Sequence, residues 1–250
     1  MPFHVDLAPM ASEIRHALAP NGTLRAAINM SNFLLVSART PEHGPAGVSP
    51  DMAAAIAACL DLKLEYVTYP NPGALADLAG SDAWDIALIG AEPQRAEAIA
   101  FTSAYSEIEA TYLVPAGSPI QGIDDVDVKG HRIAVAERTA YGLWLDRKIA
   151  KAELVHAPGV DASFDLFAAG GFDALAGLRA RLVSDVENLP GARLLEGRFM
   201  TVQQAIGVPK AKQAAAAWLE SFVQAARRQG FVAELIETYG VKGLSVAKEA

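Results

Sequence analysis

Two stretches of the chain combine residue types that could hold a small charged molecule. In one, an apolar run over residues 86–89 ends on Gly90, Pro93 follows, and Arg95 stands five residues beyond the glycine. The run reads as a buried parallel strand. The glycine can adopt angles that other residues avoid, and the proline suits the first turn of a helix, where its missing N–H costs nothing. Arg95 then offers a planar fork of donors near the unused N–H groups of a helix start, a convergence that attracts a carboxylate or another small anion. A surface arginine on an ordinary strand-to-helix turn carries the same spacing, so this stretch alone leaves both readings open. In the other stretch, a short strand over residues 24–28 runs into the polar turn Asn29-Met30-Ser31-Asn32, with Phe33 next. Both turns follow strands directly. In a parallel sheet, the carboxyl ends of the strands are where ligands gather.

Other chemistries lack their residues. The histidines, His4, His16, His43, His131 and His156, stand far apart with no partner at metal-ligand spacing. The single cysteine, Cys59, excludes an internal disulfide and a cysteine-rich metal site, and its Ala-rich surroundings suit a small buried side chain. No glycine-rich phosphate loop and no nucleophile-elbow pattern occurs, and no cofactor is implied. A net charge of -8 argues against a nucleic-acid groove. With 52% hydrophobic and 20% charged residues over 250 positions, the chain is globular and long enough for one large domain or two smaller ones. No apolar run reaches the ~18 residues of a membrane span, so no membrane insertion is expected. The first residues show neither a basic segment nor an apolar core of a signal peptide. That fits a cytoplasmic protein as well as one whose leader has been removed.

The elements that must position these residues alternate. Helical spacing of Phe3, Leu7, Met10, Ile14 and Leu18 predicts a helix over 3–19, ended by the turn at Pro20 and Gly22. Strands are expected at 24–28, 64–69 and 86–89. A Pro- and Gly-rich loop is expected over 39–50, then a helix capped by Ser49 with Pro50 at its first position. A turn at 70–73 and a short helix to Ala79 precede the 86–89 strand. Trp84 should pack beneath that strand. A strand at 111–115 leads to a second unit, with strands at 132–135, 153–156 and 173–177 and helices over 140–149, 160–169 and from Arg179. Trp144, one helical turn past Thr139, could pack or line a cleft. Strands at 193–195 and 201–208 return toward the first unit. A long amphipathic helix over 209–229 and a last one over 231–239 finish the chain. This order implies parallel sheets with helices on both faces and right-handed crossovers.

In this order and spacing the chain resembles the solute-binding proteins of ABC importers, family 3, the polar amino-acid type. The stretches that carry the resemblance are Gly22-Thr-Leu-Arg25, Gly47 to Ile56, Trp84 through Arg95, Ile99-Ala-Phe-Thr-Ser-Ala-Tyr105, Val114 to Ile120 with Ile123 to Val126, and Arg227 through Gly230 to Tyr239. The resemblance covers roughly residues 22–240. It implies an α/β, two-lobe, type II periplasmic-binding-protein-like fold, each lobe a mostly parallel sheet flanked by helices, with two hinge crossings. An N-terminal helical extension, 1–21, is expected to precede lobe one, 22–113 plus 207–250, and lobe two, 114–206.

Carried over residue by residue, Arg95 falls on the arginine that pairs with a ligand's α-carboxylate, and Gly90 on a turn whose backbone meets the ligand. Thr139 and Ala140 fall on the lobe-two turn, where a hydroxyl and helix-start N–H groups hold the same carboxylate. Asn29, Asn32 and Phe33 fall in the loop that supplies a side-chain pocket with an aromatic wall. Two positions depart from the pattern. Leu178, with Arg179 beside it, stands where the family often has an Asp for the ligand's ammonium, and Glu92 stands where Thr or Ser is usual. Either Glu92 takes over the ammonium, or the ligand lacks one and Arg179 reads a second anionic group. A solvated acid at a helix start would also explain Glu92.

The resemblance implies a monomeric, non-catalytic protein that closes on a small carboxylate-bearing ligand, an amino acid or an analogue, and delivers it to an ABC permease. It also implies a periplasmic location. The alternatives are a small-carboxylate lyase or dehydratase on the same scaffold, with Glu92 as its general acid, and a cytoplasmic metabolite sensor.

Overall fold

The computed structural model of the chain describes residues 11–40 and 44–248. The described residues form two compact units, one up to Glu107 and again from Gln203 onward, the other from Ile108 to Val202.

In chain order, the first unit begins with helix α1 (Ala11–Leu18), strand β1 (Thr23–Asn29), the short strands β2 (Ala38–Thr40) and β3 (Gly44–Ala46), and helix α2 (Val48–Cys59). Strand β4 (Lys63–Tyr69), helix α3 (Pro72–Ala76) and strand β5 (Ile86–Gly90) follow, then one turn of 3-10 helix at Arg95–Glu97 and the long strand β6 (Ile99–Val114). Beyond residue 107 come β7 (Arg132–Ala136), α4 (Ala140–Lys148), β8 (Glu153–Ala157), α5 (Val160–Ala168), β9 (Ala174–Leu178), α6 (Arg179–Val186), β10 (Arg193–Leu194) and β11 (Met200–Pro209). A 3-10 segment (Lys210–Ala215), α7 (Ala216–Arg228), α8 (Phe231–Thr238) and β12 (Ser245–Val246) close the chain in the first unit.

The first unit orders its strands β4-β1-β5-β11. β1 is parallel to β4 and β5, with Asn29 level with Tyr69 and Ile28 level with Leu88, whereas β11 runs antiparallel to β5. All five residues of β5 are buried, as a strand covered on both faces requires. Trp84 packs under it against Leu75, Ala79 and Ile99 and donates its indole N–H to the Leu75 carbonyl at 3.2 Å. In the second unit β7 is parallel to β8 and β9, with Ala136 level with Ala157, and β9 is antiparallel to β6. Each unit therefore has its own row of strand carboxyl ends: Asn29, Tyr69 and Gly90 in one, Ala136, Ala157 and Leu178 in the other.

A buried charge cluster ties the first unit together. Asp85, 2% exposed at the foot of β5, accepts from the Arg25 backbone N–H at 2.7 Å and from the Arg25 guanidinium at 2.8 and 3.1 Å, and it pairs with Lys212. Lys212 also donates to the Leu18 carbonyl at 3.0 Å. One carboxylate thus joins β1, β5, the end of α1 and the segment leading into α7.

Several sequence expectations need correction. The helix expected to begin at a Ser49 cap starts at Val48, with Gly47 (φ 145°) as its N-cap. A side chain at 47 would meet the Leu35 carbonyl at 2.4 Å, which is why only glycine makes this turn. Ser49 is buried inside the first turn instead, its hydroxyl 2.8 Å from that of Tyr105. Within the expected loop over 39–50, Ala38 pairs antiparallel with Ala46, so part of it is a two-stranded ribbon. The single helix expected over 209–229 breaks at Lys212 (φ -108°, ψ 16°), where the ammonium turns in toward Asp85. The strand expected at 111–115 begins at Ile99 and runs across the boundary between the units. Of the helix expected over 3–19, Phe3, Leu7 and Met10 lie outside the described residues, and Ile14 and Leu18 are buried as expected. Cys59 is only half-buried, not fully enclosed.

Candidate functional site

In the first unit, the loops after β1 and β5 leave the same edge of the sheet, because those strands are neighbours and parallel. The β5 side holds Gly90, Glu92 and Arg95. Gly90 is the last residue of β5 and lies outside the left-handed region, so a special backbone angle is not what selects glycine here. Its carbonyl accepts from Arg95 Nη1 at 2.7 Å. The expected helix start at Arg95 is a single 3-10 turn of three residues, too short to present an α-helix's row of N–H groups or its dipole. What the turn presents is the guanidinium itself. Arg95 is 6% exposed and Glu92 4%, so a cation and an anion are both withdrawn from water three residues apart. A solvated acid is therefore the wrong description of Glu92.

The β1 side is built by asparagines. Asn29 Oδ1 accepts from the Ser31 N–H and hydroxyl at 3.2 and 2.8 Å, while buried Asn32 accepts from the Leu34 N–H at 3.2 Å. These short turns hold the loop through side chain-to-backbone bonds, the habit that makes asparagine a turn residue. They leave Phe33 47% exposed, a large ring with more than ordinary surface in water.

In the second unit, Thr139 is the N-cap of α4. Its hydroxyl accepts from the Gly142 N–H at 3.0 Å and donates to the Ala136 carbonyl at 2.9 Å. With the hydroxyl proton already given to Ala136, what this turn can offer an anion is the backbone N–H groups of Ala140 and Tyr141, which the helix does not use internally. Gly142 leaves no room here, since a β-carbon would stand 2.7 Å from the Ala136 carbonyl and 2.9 Å from Thr139 Oγ1. Gly142→Ala should push this cap apart. The expected outcome is a loss of about 1–3 kcal/mol of stability, read as a lower melting temperature in thermal melts.

Arg179, at the start of α6, turns to its own unit. Its Nε donates to Glu109 at 2.9 Å and an Nη to the Gly197 carbonyl, while Arg198 reaches the other Glu109 oxygen at 2.8 Å. Trp144, half-buried, packs against Phe199 with ring centres 5.5 Å apart, and Phe199 packs against Tyr112 at 4.6 Å. Arg138, just before Thr139, has φ 59°, an uncommon conformation for a side chain-bearing residue and one found at functional turns. Sequence reasoning passed over Arg138 and Glu109. Nothing local marks the first, and the second's partners lie 70 and 89 residues away.

The structure thus gathers Asn29, Asn32, Phe33, Gly90, Glu92 and Arg95 at one unit's strand ends and Thr139, Ala140 and Arg179 at the other's. Among the described residues no cluster of His, Cys, Asp and Glu could hold a metal ion, and no helix is long and apolar enough to cross a membrane.

The fold has close counterparts among solved structures. The substrate-binding protein AbpA of a Streptococcus pneumoniae amino acid ABC transporter, bound to L-arginine, aligns with a TM-score of 0.71 at 18% identity, over 91% of this chain and 99% of that one. The ligand-binding core of GluR0 with L-glutamate aligns at 0.70 and 20% identity, over 87% and 97%. The ancestral amino acid-binding protein AncCDT-1, a precursor of cyclohexadienyl dehydratase, aligns at 0.70 and 18% identity, over 93% and 100%. At these identities the likeness establishes the two-lobe binding-protein fold. No curated protein matches the chain. A profile for bacterial extracellular solute-binding proteins, family 3, matches residues 25–242, and with so much of its length accounted for, the chain belongs to that family.

Proposed function

We propose that this protein binds an amino acid or a close analogue without transforming it and presents it to an ABC-type permease. The observation that carries the reading is the juxtaposition of buried Arg95 and buried Glu92 at one strand end. A zwitterion carries the two complementary charges, and similar folds hold L-arginine and L-glutamate, which share only that zwitterionic end. Arg95 pairs with the α-carboxylate through its fork and Glu92 with the α-ammonium. Asn29, Asn32 and Phe33 face the ligand's side chain, the Gly90 backbone borders it, and the Thr139–Ala140 turn adds N–H groups to the carboxylate. Arg179 is held by Glu109 and the Gly197 carbonyl, which supports assigning the ligand's charges to Arg95 and Glu92 rather than to Arg179. That engagement favours a ligand with an ammonium. In this reading the units close on the solute by flexing where β6 and β11 pass from one to the other. The family's extracellular character makes the periplasm the expected location, in place of a cytoplasmic sensor.

Native mass spectrometry of the purified protein tests the proposal: it should carry, or take up from an amino acid mixture, one non-covalent amino acid. Glu92→Gln tests the ammonium role. Calorimetry should show zwitterion binding weakened by roughly 2 kcal/mol, about thirtyfold, and unchanged affinity would remove Glu92 from that role. The fold of AncCDT-1 supports one second reading, a dehydratase using Glu92 as general acid. It requires the bound compound to be turned over.

A further inference from the structure

The closing residues of the chain return to one particular place. Strand β6 belongs to the first unit up to Glu107 and to the second from Ile108. β12 pairs antiparallel with the last residues of β6 before that boundary, Ser245 level with Glu107 and Val246 with Ser106. The Ala247 N–H extends the ladder to the Tyr105 carbonyl at 3.2 Å, and Leu244 and Ala247 are buried on either side. Arg227 clips the segment down from α7: its Nη1 donates to the Ala104 carbonyl at 3.0 Å and the Lys248 carbonyl at 3.4 Å. Gln203, the first residue of the returning strand inside the same unit, donates to the Glu107 carboxylate at 3.2 Å.

A strand of two residues adds little to global stability, but it stiffens what it pairs with. β11 already lies along one edge of β6, and β12 closes the other edge at Ser106 and Glu107; a strand held by ladders on both edges bends less easily than one held on a single edge. The ladder ends where the first unit ends, so bending is directed to the residues just beyond Glu107. We propose that β12, clipped by Arg227, is a strap that sets the point at which β6 flexes. This rests on the reading that the units close on a solute.

The test uses the full chain with Cys59→Ser and spin labels at Glu234→Cys and Ser184→Cys, both exposed and one in each unit. Pulsed dipolar spectroscopy reads the distance between them. The intact chain should show a narrow distribution without solute and a shift on adding a mixture of the standard amino acids. A chain ending at Gly243 should lose the narrow solute-free distribution in favour of a broad one. Arg227→Met, which keeps the apolar stem and the whole C-terminus, should broaden it in the same direction while still melting cooperatively. If the intact chain shifts but both variants keep its narrow distribution, the strap is overturned and closure stands. If the intact chain does not shift, closure fails and the strap with it.

Discussion

Arg95→Lys is expected to weaken solute binding by at least about thirtyfold, and Arg95→Ala by up to several thousandfold, the 2–5 kcal/mol typical of truncating one partner of a buried charge pair. The reason is geometric before it is electrostatic. The Nη1 bond to the Gly90 carbonyl sets the plane of the guanidinium, so the fork is already oriented when a carboxylate arrives. Lysine preserves the charge and can still reach that carbonyl, yet it presents a point charge where two parallel donors are needed. Its melting temperature should therefore stay near that of the intact protein while affinity collapses. Alanine should also cost about 1–3 kcal/mol of stability, because the buried Gly90 carbonyl loses its donor. Calorimetry and thermal melts on the two variants separate these effects.

Asp85→Ala is expected to be the most destabilising single substitution proposed, by about 3–5 kcal/mol, since it leaves Arg25 and Lys212 facing each other around an empty site. Burial pushes the Asp85 carboxyl up, but the hydrogen bonds from Arg25 and Lys212 outweigh it and hold the group below the usual carboxylate range. A carboxyl depressed in the folded state stabilises fully above its unfolded value, near pH 4, and that contribution is lost as pH falls through the lower folded value. Glu220, whose carboxylate accepts from the Ser103 N–H and hydroxyl, is depressed by those bonds against the opposing effect of burial and adds in the same direction. Denaturant titrations should show stability flat near neutral pH and falling below about pH 4. In Asp85→Ala the fall should be shallower as well as starting from a lower plateau.

Much of this architecture was legible because its signals are local. Residues 86–89 announce a doubly covered strand by unbroken apolarity, and Gly230 stops α7 with the left-handed angle (φ 79°) that glycine allows. The parallel order of β1, β4 and β5 follows from alternation alone, which puts the Asn29 and Arg95 loops at one edge of the sheet. What escaped depended on partners far along the chain. Ser49 has the composition of a cap, yet its hydroxyl meets Tyr105, and the turn is made by Gly47 because Leu35 crowds it. Lys212 sits in an unbroken helical pattern, and only Asp85, distant in sequence, explains why the helix breaks there. The burial of Glu92 was equally invisible, because an acid after a strand looks the same in sequence whether it is solvated or enclosed. Its enclosure beside Arg95 turns a choice between two ligand chemistries into a preference for a zwitterion.

The central claim is that the protein binds an amino acid and leaves it unchanged. Incubating the protein with a mixture of the standard amino acids, then weighing both the complex and the solute released from it, tests this most directly. The account predicts one amino acid per chain, recovered at its original mass, and no such complex with Arg95→Ala. Recovery of a product of altered mass, or equal uptake by Arg95→Ala, would contradict it.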